Sequence, residues 1–539
     1  MSPRVDVLDA LDPLGLTDAL ASVLTTPAAV RAVGSLAATW LQVLAGTADI
    51  EADERDWRFR HDAWREHPLY RRLGQGYLAW SRAMLDLVDE AGLDWRAADR
   101  ARFAVNLLTS ALAPTNVLPG NPAALERAVE TKGASLVRGL ASFAGDVVHN
   151  RWLPTQVDTS PFVYGETVAA TPGAVVHRTE VFELLQYQPT TTHVHATPVV
   201  VVPPMINKHY LMDLAPGRSF VEHAVSQGLQ VFCLSWRNPG RSHHGWTFDT
   251  YVAALEDALV AASDIADVDR VNVVGVCAGG ITATALLARH AATGTALVDN
   301  LTLAVTLLDF DLPSGIAMLA ADGIVGHAAM GSSRRGVVEG DALGAFFAAL
   351  RPNELIWNYW VNNNLMGEAP AAFDVLHWNA DSPRLPAGLH ADFLAVFPLN
   401  TLANGELEVL GTRVELGAVE CDTFVVGAET DHLTPWRTCY SSSFLLGGRR
   451  EFVLSSSGHV QSLVNPPGHP RMRWSRAPLG PAYPDEWRAG TSSEVGSWWE
   501  PWAAWMRERS GPARPAPRRL GNRWHRPDGP APGTYVRVA

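Results

Sequence analysis

Two runs of β-branched residues constrain the fold of this chain more than any other feature of its sequence. Pro198-Val-Val-Val-Val and Val271-Asn-Val-Val are almost continuously apolar, which is typical of strands that are buried on both faces of a sheet. From about residue 171 onward, further short apolar runs alternate with stretches of helical spacing such as 250–266 and 281–290. Alternating strands and helices predict an α/β protein with a mostly parallel, doubly wound sheet.

Changes in composition along the chain predict five regions. Residues 1–170 have apolar positions at helical spacing and predict a helical N-terminal domain. The α/β core is expected in two parts, 171–312 and 416–509. Between them, 313–415 is helix-leaning and aromatic, which predicts an inserted cap over the strand ends; the alternative is that its aromatic residues are simply core. The Pro- and Arg-rich residues 510–539 predict a tail that is poorly ordered or draped over the core.

The composition excludes several classes of protein. With 47% hydrophobic and 18% charged residues among 539, the chain is expected to be globular. Its formal net charge of −13 argues against a general nucleic-acid binder, which needs a basic face. The four cysteines have no CxxC spacing and do not cluster with histidines, so we predict no metal site, no disulfide framework and a reducing compartment.

One question about the N-terminal region is whether any segment of it could be inserted into a membrane or lie on its surface. The first residues are acidic rather than basic, so no signal peptide is predicted. No uncharged apolar run reaches about 18 residues, so no transmembrane segment is predicted either. The stretch 20–46 is apolar and rich in small residues, and we interpret it as an amphipathic helix that packs on a core or associates with a surface.

The stretch Gly275-Val-Cys277-Ala-Gly-Gly280 carries the strongest indication of chemistry. It follows an apolar strand and precedes a helix, which is the setting of a nucleophile elbow G-x-S-x-G, here with cysteine in place of serine. The helix dipole favours a thiolate at this position, and the next amide, of Ala278, can stabilise an oxyanion. The alternative, a buried and inert cysteine, would leave the glycines without an evident purpose.

A catalytic thiol needs a base, and the base needs an acidic residue that orients it. In the α/β-hydrolase fold the acid and then the histidine follow the nucleophile along the chain. Asp431 follows a later apolar strand and His459 follows the next one, so both are predicted to form a triad with Cys277. Glu429 is a rival acid and His432 a rival base. It also stays open that Asp431 is a turn residue and His459 an ordinary loop histidine.

Several stretches of the chain form a set of motifs that lie in register over most of its length. They are Pro203-Pro-Met-Ile-Asn-Lys-His-Tyr, Leu234-Ser-Trp-Arg-Asn-Pro239, the Cys277 turn, Leu350-Arg-Pro-Asn-Glu-Leu-Ile-Trp, Phe373-Asp-Val-Leu-His-Trp-Asn, Asp431-His-Leu-Thr-Pro-Trp436 and Ser457-Gly-His-Val-Gln-Ser. This set resembles that of the polyhydroxyalkanoate synthases. Gly458-His-Val-Gln-Ser and Pro532-Gly-Thr-Tyr-Val are most similar to the medium-chain-length, class II branch of that family.

The resemblance implies an acyltransferase that polymerises (R)-3-hydroxyacyl-coenzyme A into polyester and releases coenzyme A. It implies Cys277 as the acyl-bearing nucleophile, His459 as general base and Asp431 as the acidic partner of His459. Coenzyme A would be part of the substrate and a product, and no cofactor is expected. The resemblance also implies a cytoplasmic homodimer that associates with the surface of polyester granules.

Further residues are predicted to contact the substrate. The oxyanion is expected to lie against the amide of Ala278 and a backbone amide near Ile206, in the loop after the first valine run. Arg237 and Arg241 follow a strand and could bind coenzyme A phosphates; the alternative is that they are solvated or structurally paired. His432 is a further candidate for contact with the substrate.

Two other functions stay open on the sequence alone. A Cys-dependent α/β-hydrolase, either a thioesterase or a polyester depolymerase, would use the same triad and pass the acyl group to water. A granule-coating or scaffold protein with a dead site would have the same fold and no turnover. The intact set of Cys277, Asp431 and His459 disfavours the scaffold.

Overall fold

The computed structural model describes residues 16–316 and 322–538. Within it the chain forms two compact units, each built from two separate stretches of sequence. The first unit contains Met1–Ser160 and Ala342–Leu376, and the second contains Pro161–Asp341 and His377–Ala539.

The first unit is helical, as the spacing of its apolar residues predicts. Its N-terminal stretch contains the helices Leu16–Leu24, Pro27–Ala45, Ala63–Glu66, Pro68–Glu90, Trp95–Ala111, Pro122–Glu130 and Ala134–His149. Local signals set where helices begin: the Asp94 side chain caps Trp95–Ala111 by accepting hydrogen bonds from amides of its first turn. Apolar residues on facing helices, among them Val88, Ala101 and Val105, form a buried cluster.

The structure divides the predicted cap, 313–415, between the two units. Residues 342–376 belong to the first unit, and the parts before and after them belong to the second. The stretch in the first unit includes the π-helical segments Asn353–Trp357 and Trp360–Leu365. The indole of Trp360 donates a hydrogen bond to the carbonyl of Asn116 at 2.8 Å. An aromatic-rich pattern does not specify which distant helix will supply such an acceptor, so the sequence did not indicate this division.

The second unit is built on one ten-stranded sheet. In chain order its strands are β1 (Gly173–Arg178), β2 (Phe182–Tyr187), β3 (Val199–Val202), β4 (Val231–Trp236), β5 (Val271–Val276), β6 (Val298–Ala304), β7 (Asp422–Ala428), β8 (Arg450–Ser455), β9 (Arg473–Pro478) and β10 (Glu494–Val495). Their order in space is β1-β2-β4-β3-β5-β6-β7-β8-β9-β10. The six strands from β4 to β8 in this order are parallel, and the strands outside them are antiparallel. The predicted α/β class with a mostly parallel sheet is confirmed.

The valine runs that predicted the sheet lie at its centre. All four valines of β3 have no exposed area, because the sheet is covered on both faces. The described helices within this unit are Phe220–Ser226, Phe248–Ala266, Ala278–Thr293, Asp322–Arg335, Ala387–Leu399, Trp436–Ser442, His459–Val464, Pro484–Ala489 and Trp499–Arg509, while Gly340–Leu350 and Asp374–Ala380 lie across the unit boundaries.

The described residues of the C-terminal tail, 510–538, pack against other parts of the second unit. Its segment Ala513–Pro515 pairs in antiparallel fashion with His193–His195. Near its end, the buried carboxylate of Glu183 in β2 accepts hydrogen bonds from the amides of Thr534 and Tyr535 at 2.8 and 3.0 Å. A buried carboxylate needs donors, and this extended segment supplies them from its backbone.

By length and composition, one helix among the described residues, Pro27–Ala45, could cross a membrane, although core helices and signal sequences can pass the same criterion. Only 11% of its apolar window is buried. Val30, Val33, Leu41 and Leu44 lie on its exposed side, between 62% and 78% exposed. This exposure favours the surface-associating alternative for the stretch 20–46.

Candidate active site

Cys277 lies in a strained turn between β5 and the helix Ala278–Thr293. Its backbone has φ 51° and ψ −121°, a conformation that is unfavourable for a residue with a Cβ. Hydrogen bonds on both sides hold the turn: the Cys277 amide donates to the carbonyl of Ala304 at 2.9 Å, and the Gly280 amide donates to the carbonyl of Cys277 at 2.9 Å. The turn has the form of a nucleophile elbow, as the sequence predicts.

The three glycines around Cys277 are required because neighbouring atoms leave no room for a Cβ. A Cβ on Gly275 would lie 2.5 Å from the Cα of Gly280, and one on Gly279 would lie 2.1 Å from the carbonyl oxygen of Val202. A Cβ on Gly280 would lie 2.2 Å from Oγ1 of Thr306. Strand, loop and helix therefore cross at distances that only glycine permits.

His459 and Asp431 form a buried pair at the carboxyl ends of neighbouring strands. Nδ1 of His459 lies 2.7 Å from Oδ2 of Asp431, and their side chains are 11% and 0% exposed. The carboxylate is fixed by the amides of Leu433 and Thr434, which donate to Oδ1 at 2.8 and 3.0 Å. Asp431 follows β7 and His459 follows β8, where parallel strands present their loops at the same edge.

Thr434 is a residue of this site that the sequence analysis missed. Its hydroxyl donates to Oδ2 of Asp431 at 2.7 Å and lies 3.2 Å from Nδ1 of His459. An aspartate side chain often accepts hydrogen bonds from residues two or three positions later in the same turn. The spacing of Asp431 and Thr434 could therefore have indicated this contact.

The electrostatics of the site link all three predicted side chains. Burial would raise the pKa of Asp431, but the charge and hydrogen bond of His459 and the Thr434 donors hold that pKa below its ordinary value. Burial would also lower the pKa of His459, yet Asp431, and then Cys277 through a side-chain hydrogen bond and its charge, raise that pKa to about 10. The imidazole therefore carries a proton at neutral pH, beside the sulfur of the elbow.

The two predicted oxyanion donors lie in segments that adjoin the elbow. Ala278 is the first residue of its helix, so its amide is one of those without an acceptor inside the helix. Ile206 lies in the loop after β3, and the end of β3 at Val202, with the first loop residue Pro203, lies against the backbone of Gly279. The short helix that follows this loop, His209–Met212, packs against the helix that begins at His459.

The structure also locates the other candidates. Arg237 is structurally paired: its guanidinium lies 5.1 Å from the ring centre of Tyr535 and donates to a backbone carbonyl. Arg241 is exposed at the start of a short 3-10 helix, and its binding of substrate stays a prediction. His432 and Glu429 are both exposed. Asp431 and His459 rather than these two rivals form the buried pair beside the elbow.

Within the described stretches, no group of three histidine, cysteine or acidic side chains is placed to hold a metal ion. The chemistry available to the site is that of a thiol, an imidazole, a carboxylate and backbone amides. These groups together can transfer an acyl group through a covalent intermediate.

A thiol on a strained strand-to-helix turn, with an aspartate and a histidine after later strands, defines an α/β-hydrolase fold with cysteine at the position of the nucleophile elbow. The comparison with family models agrees. Residues 198–466 match the model described as "alpha/beta hydrolase fold", and residues 55–224 match "Poly-beta-hydroxybutyrate polymerase (PhaC) N-terminus".

Curated relatives cover almost the whole chain. It is 43% identical over 495 residues to poly(3-hydroxyalkanoate) polymerase 1 of Ectopseudomonas oleovorans, covering 92% of this chain and 88% of the relative. Polymerase 2 of the same organism is 45% identical, covering 92% and 89%. The polymerase subunit PhaC of Cupriavidus necator is 39% identical, covering 97% and 90%. The chain belongs to the poly(3-hydroxyalkanoate) polymerase family, so the family and the acyltransferase class predicted from the motifs are confirmed.

Proposed function

We propose that this protein polymerises (R)-3-hydroxyacyl-coenzyme A into a polyester and releases coenzyme A, with Cys277 carrying the acyl group as a thioester. Membership in the polymerase family supports the overall reaction. The observation that carries the proposed mechanism is the His459–Asp431 pair at 2.7 Å, which interacts with Cys277 on the elbow.

In the first half-reaction Cys277 is loaded. The proton that His459 carries is the one taken from the Cys277 thiol, and the sulfur attacks the thioester carbonyl of the substrate. The bond from that carbonyl to the sulfur of coenzyme A breaks, and His459 returns its proton to the leaving sulfur. One thioester replaces another, so the acyl group is not trapped in a deep energy minimum.

In the second half-reaction the chain grows by one ester bond. The 3-hydroxyl of another acyl group attacks the Cys277 thioester, and His459 removes the hydroxyl proton. The carbon–sulfur bond breaks, the oxoester forms, and the Cys277 sulfur recovers a proton from His459. Asp431 holds the imidazole in the orientation that both steps need and stabilises its positive charge.

Both half-reactions pass through a tetrahedral oxyanion. We assign its stabilisation to the amides of Ala278 and Ile206, one at a helix N-terminus and one in the adjoining loop. No cofactor enters the scheme, because coenzyme A arrives with the substrate and leaves as product.

The proposed setting is the cytoplasmic surface of the polyester granule, with the enzyme as a homodimer. The exposed apolar side of Pro27–Ala45 supports attachment to such a surface, since a polyester offers it an apolar partner.

The test is to offer the purified protein 3-hydroxyacyl-coenzyme A of short and of medium chain length and to measure thiol release and insoluble polyester together. We expect both products from the wild type and neither from Cys277→Ala. Cys421→Ala is the matched control, because burial raises the pKa of the Cys421 thiol to about 11 and makes it a poor nucleophile. Thiol release without polyester would indicate a hydrolase rather than a polymerase. Full activity of Cys277→Ala would contradict the proposed thioester intermediate on Cys277.

A further inference from the structure

The chain has only two lysines, Lys132 and Lys208, and one of them is buried. The side chain of Lys208 is 7% exposed, and its Nζ lies 2.6 Å from Oδ1 of Asp381. The same ammonium donates to the carbonyl of Val536 at 2.7 Å. Lys132 is exposed to solvent.

Asp381 is in turn held by two phenols. The hydroxyls of Tyr164 and Tyr210 both donate to its Oδ2, the second at 3.0 Å. Burial and the charge of Asp381 raise the pKa of Tyr210, so this phenol stays protonated and remains a donor. The buried ammonium of Lys208 and the partly exposed carboxylate of Asp381 therefore both have hydrogen-bond partners, as a buried charge requires.

Both the backbone and the side chain of Lys208 are fixed. The indole of Trp378 donates to the Lys208 carbonyl at 2.9 Å, while the ammonium is held by Asp381 and Val536. Lys208 lies two positions after Ile206 and directly before the helix His209–Met212.

This location connects Lys208 to the active site without contact with the reacting atoms. The loop that Lys208 ends begins at Pro203, directly after β3, and lies against Gly279 of the elbow. The helix that it precedes packs on the helix that begins at His459. Between these points, the indole of Trp236 donates to the Pro203 carbonyl at 2.8 Å and the Asn207 amide donates to the Pro204 carbonyl at 3.3 Å. The start of the loop is therefore anchored by Trp236, and its far end, beyond Ile206, by Lys208.

We infer that Lys208, with Asp381 as its counter-ion, is a positioning residue that fixes the loop presenting the Ile206 amide to the oxyanion. This inference rests on the proposed function. A buried ion pair adds little net stability compared with apolar side chains of the same size, so its expected contribution is to geometry. An oxyanion donor acts only when it is held in place before the charge develops, and a displaced loop loses that advantage.

The experiment compares two reactions of the same sulfur. Alkylation of Cys277 by iodoacetamide is a direct displacement that forms no oxyanion, whereas acylation by 3-hydroxyacyl-coenzyme A does form one. In Lys208→Met we expect the rate of acylation and kcat to fall ~10- to 100-fold with KM nearly unchanged, and the rate of alkylation to stay within about twofold of wild type. The matched control, Lys132→Met, removes the exposed lysine and should change neither rate.

A second variant guards against misfolding. Lys208→Met/Asp381→Asn removes both charges and leaves no unpaired buried ion, and it should show the same selective loss of acylation. Unchanged acylation in a folded variant would overturn the inference, and so would equal loss of acylation and alkylation, which would indicate damage to the thiol and its base. Failure of the proposed function is seen separately, as polymer formation by Cys277→Ala.

Discussion

Two pairs of opposite charge in the second unit, one buried and one with a buried lysine and a partly exposed aspartate, have similar geometry and different surroundings. His459 and Asp431 lie 2.7 Å apart, and Lys208 and Asp381 lie 2.6 Å apart. Beside the first pair is the sulfur of Cys277, which helps to raise the pKa of the imidazole. Beside the second are the carbonyl of Val536 and the two phenols that hold Asp381.

The comparison teaches that the partners of a buried ion pair, rather than its distance, indicate what it does. An imidazole next to a thiol can exchange a proton with a reacting atom. An ammonium between a carboxylate and the carbonyl of Val536 ties distant backbone segments together. We interpret the first pair as a proton carrier and the second as a support for the adjoining loop.

Neutralising the aspartate of each pair should give the largest difference in kcat between the two pairs. In Asp431→Asn, His459 loses its counter-charge and the acceptor that orients it, so we expect kcat to fall ~10²- to 10⁴-fold. In Asp381→Asn the His459–Asp431 pair is unchanged, and we expect kcat to fall only ~10- to 100-fold. Steady-state kinetics and an NMR titration of His459 measure both. A His459 titration displaced as far in Asp381→Asn as in Asp431→Asn would contradict the division of roles.

The first pair should also couple stability to pH. The folded protein raises the pKa of His459 from 6.5 to about 10, so it binds this proton more tightly than the unfolded chain does. The stabilisation is complete below about pH 6.5 and is lost as the pH rises to about 10.

The measurement is the free energy of unfolding of the wild type and of His459→Gln between pH 6 and pH 10. We expect the wild type to lose, relative to the variant, on the order of a few kcal/mol over this range. A difference that stays constant or grows with pH would show that the interaction with Asp431 does not raise this pKa.

Removal of one hydroxyl from each pair should give the smallest effects. Thr434→Val deletes a donor to Asp431, and Tyr210→Phe deletes a donor to Asp381. Each should lower the free energy of unfolding by about 1 kcal/mol. Only Thr434→Val should lower kcat, by ~3- to 10-fold with KM unchanged, because its hydroxyl orients the carboxylate that holds His459. A larger loss of kcat in Tyr210→Phe than in Thr434→Val would contradict the roles assigned to the two pairs.

The sequence by itself determined the features that depend on neighbours along the chain. The valine runs of β3 and β5 specified a parallel sheet, since strands buried on both faces carry no alternation. The glycines around Cys277 specified the elbow, because no other residue fits those approaches. The order Cys277, Asp431, His459 placed the acid and the base after strands that become neighbours in the sheet.

Only the tertiary structure decided which distant groups meet. It assigned 342–376 to the helical unit, paired Lys208 with Asp381 and joined the carboxylate of Glu183 to the C-terminal segment. A strand or a tight turn is specified by residues a few positions apart. A buried charge instead takes the partner that the completed fold brings within 3 Å, and no local pattern of residues states which partner that will be.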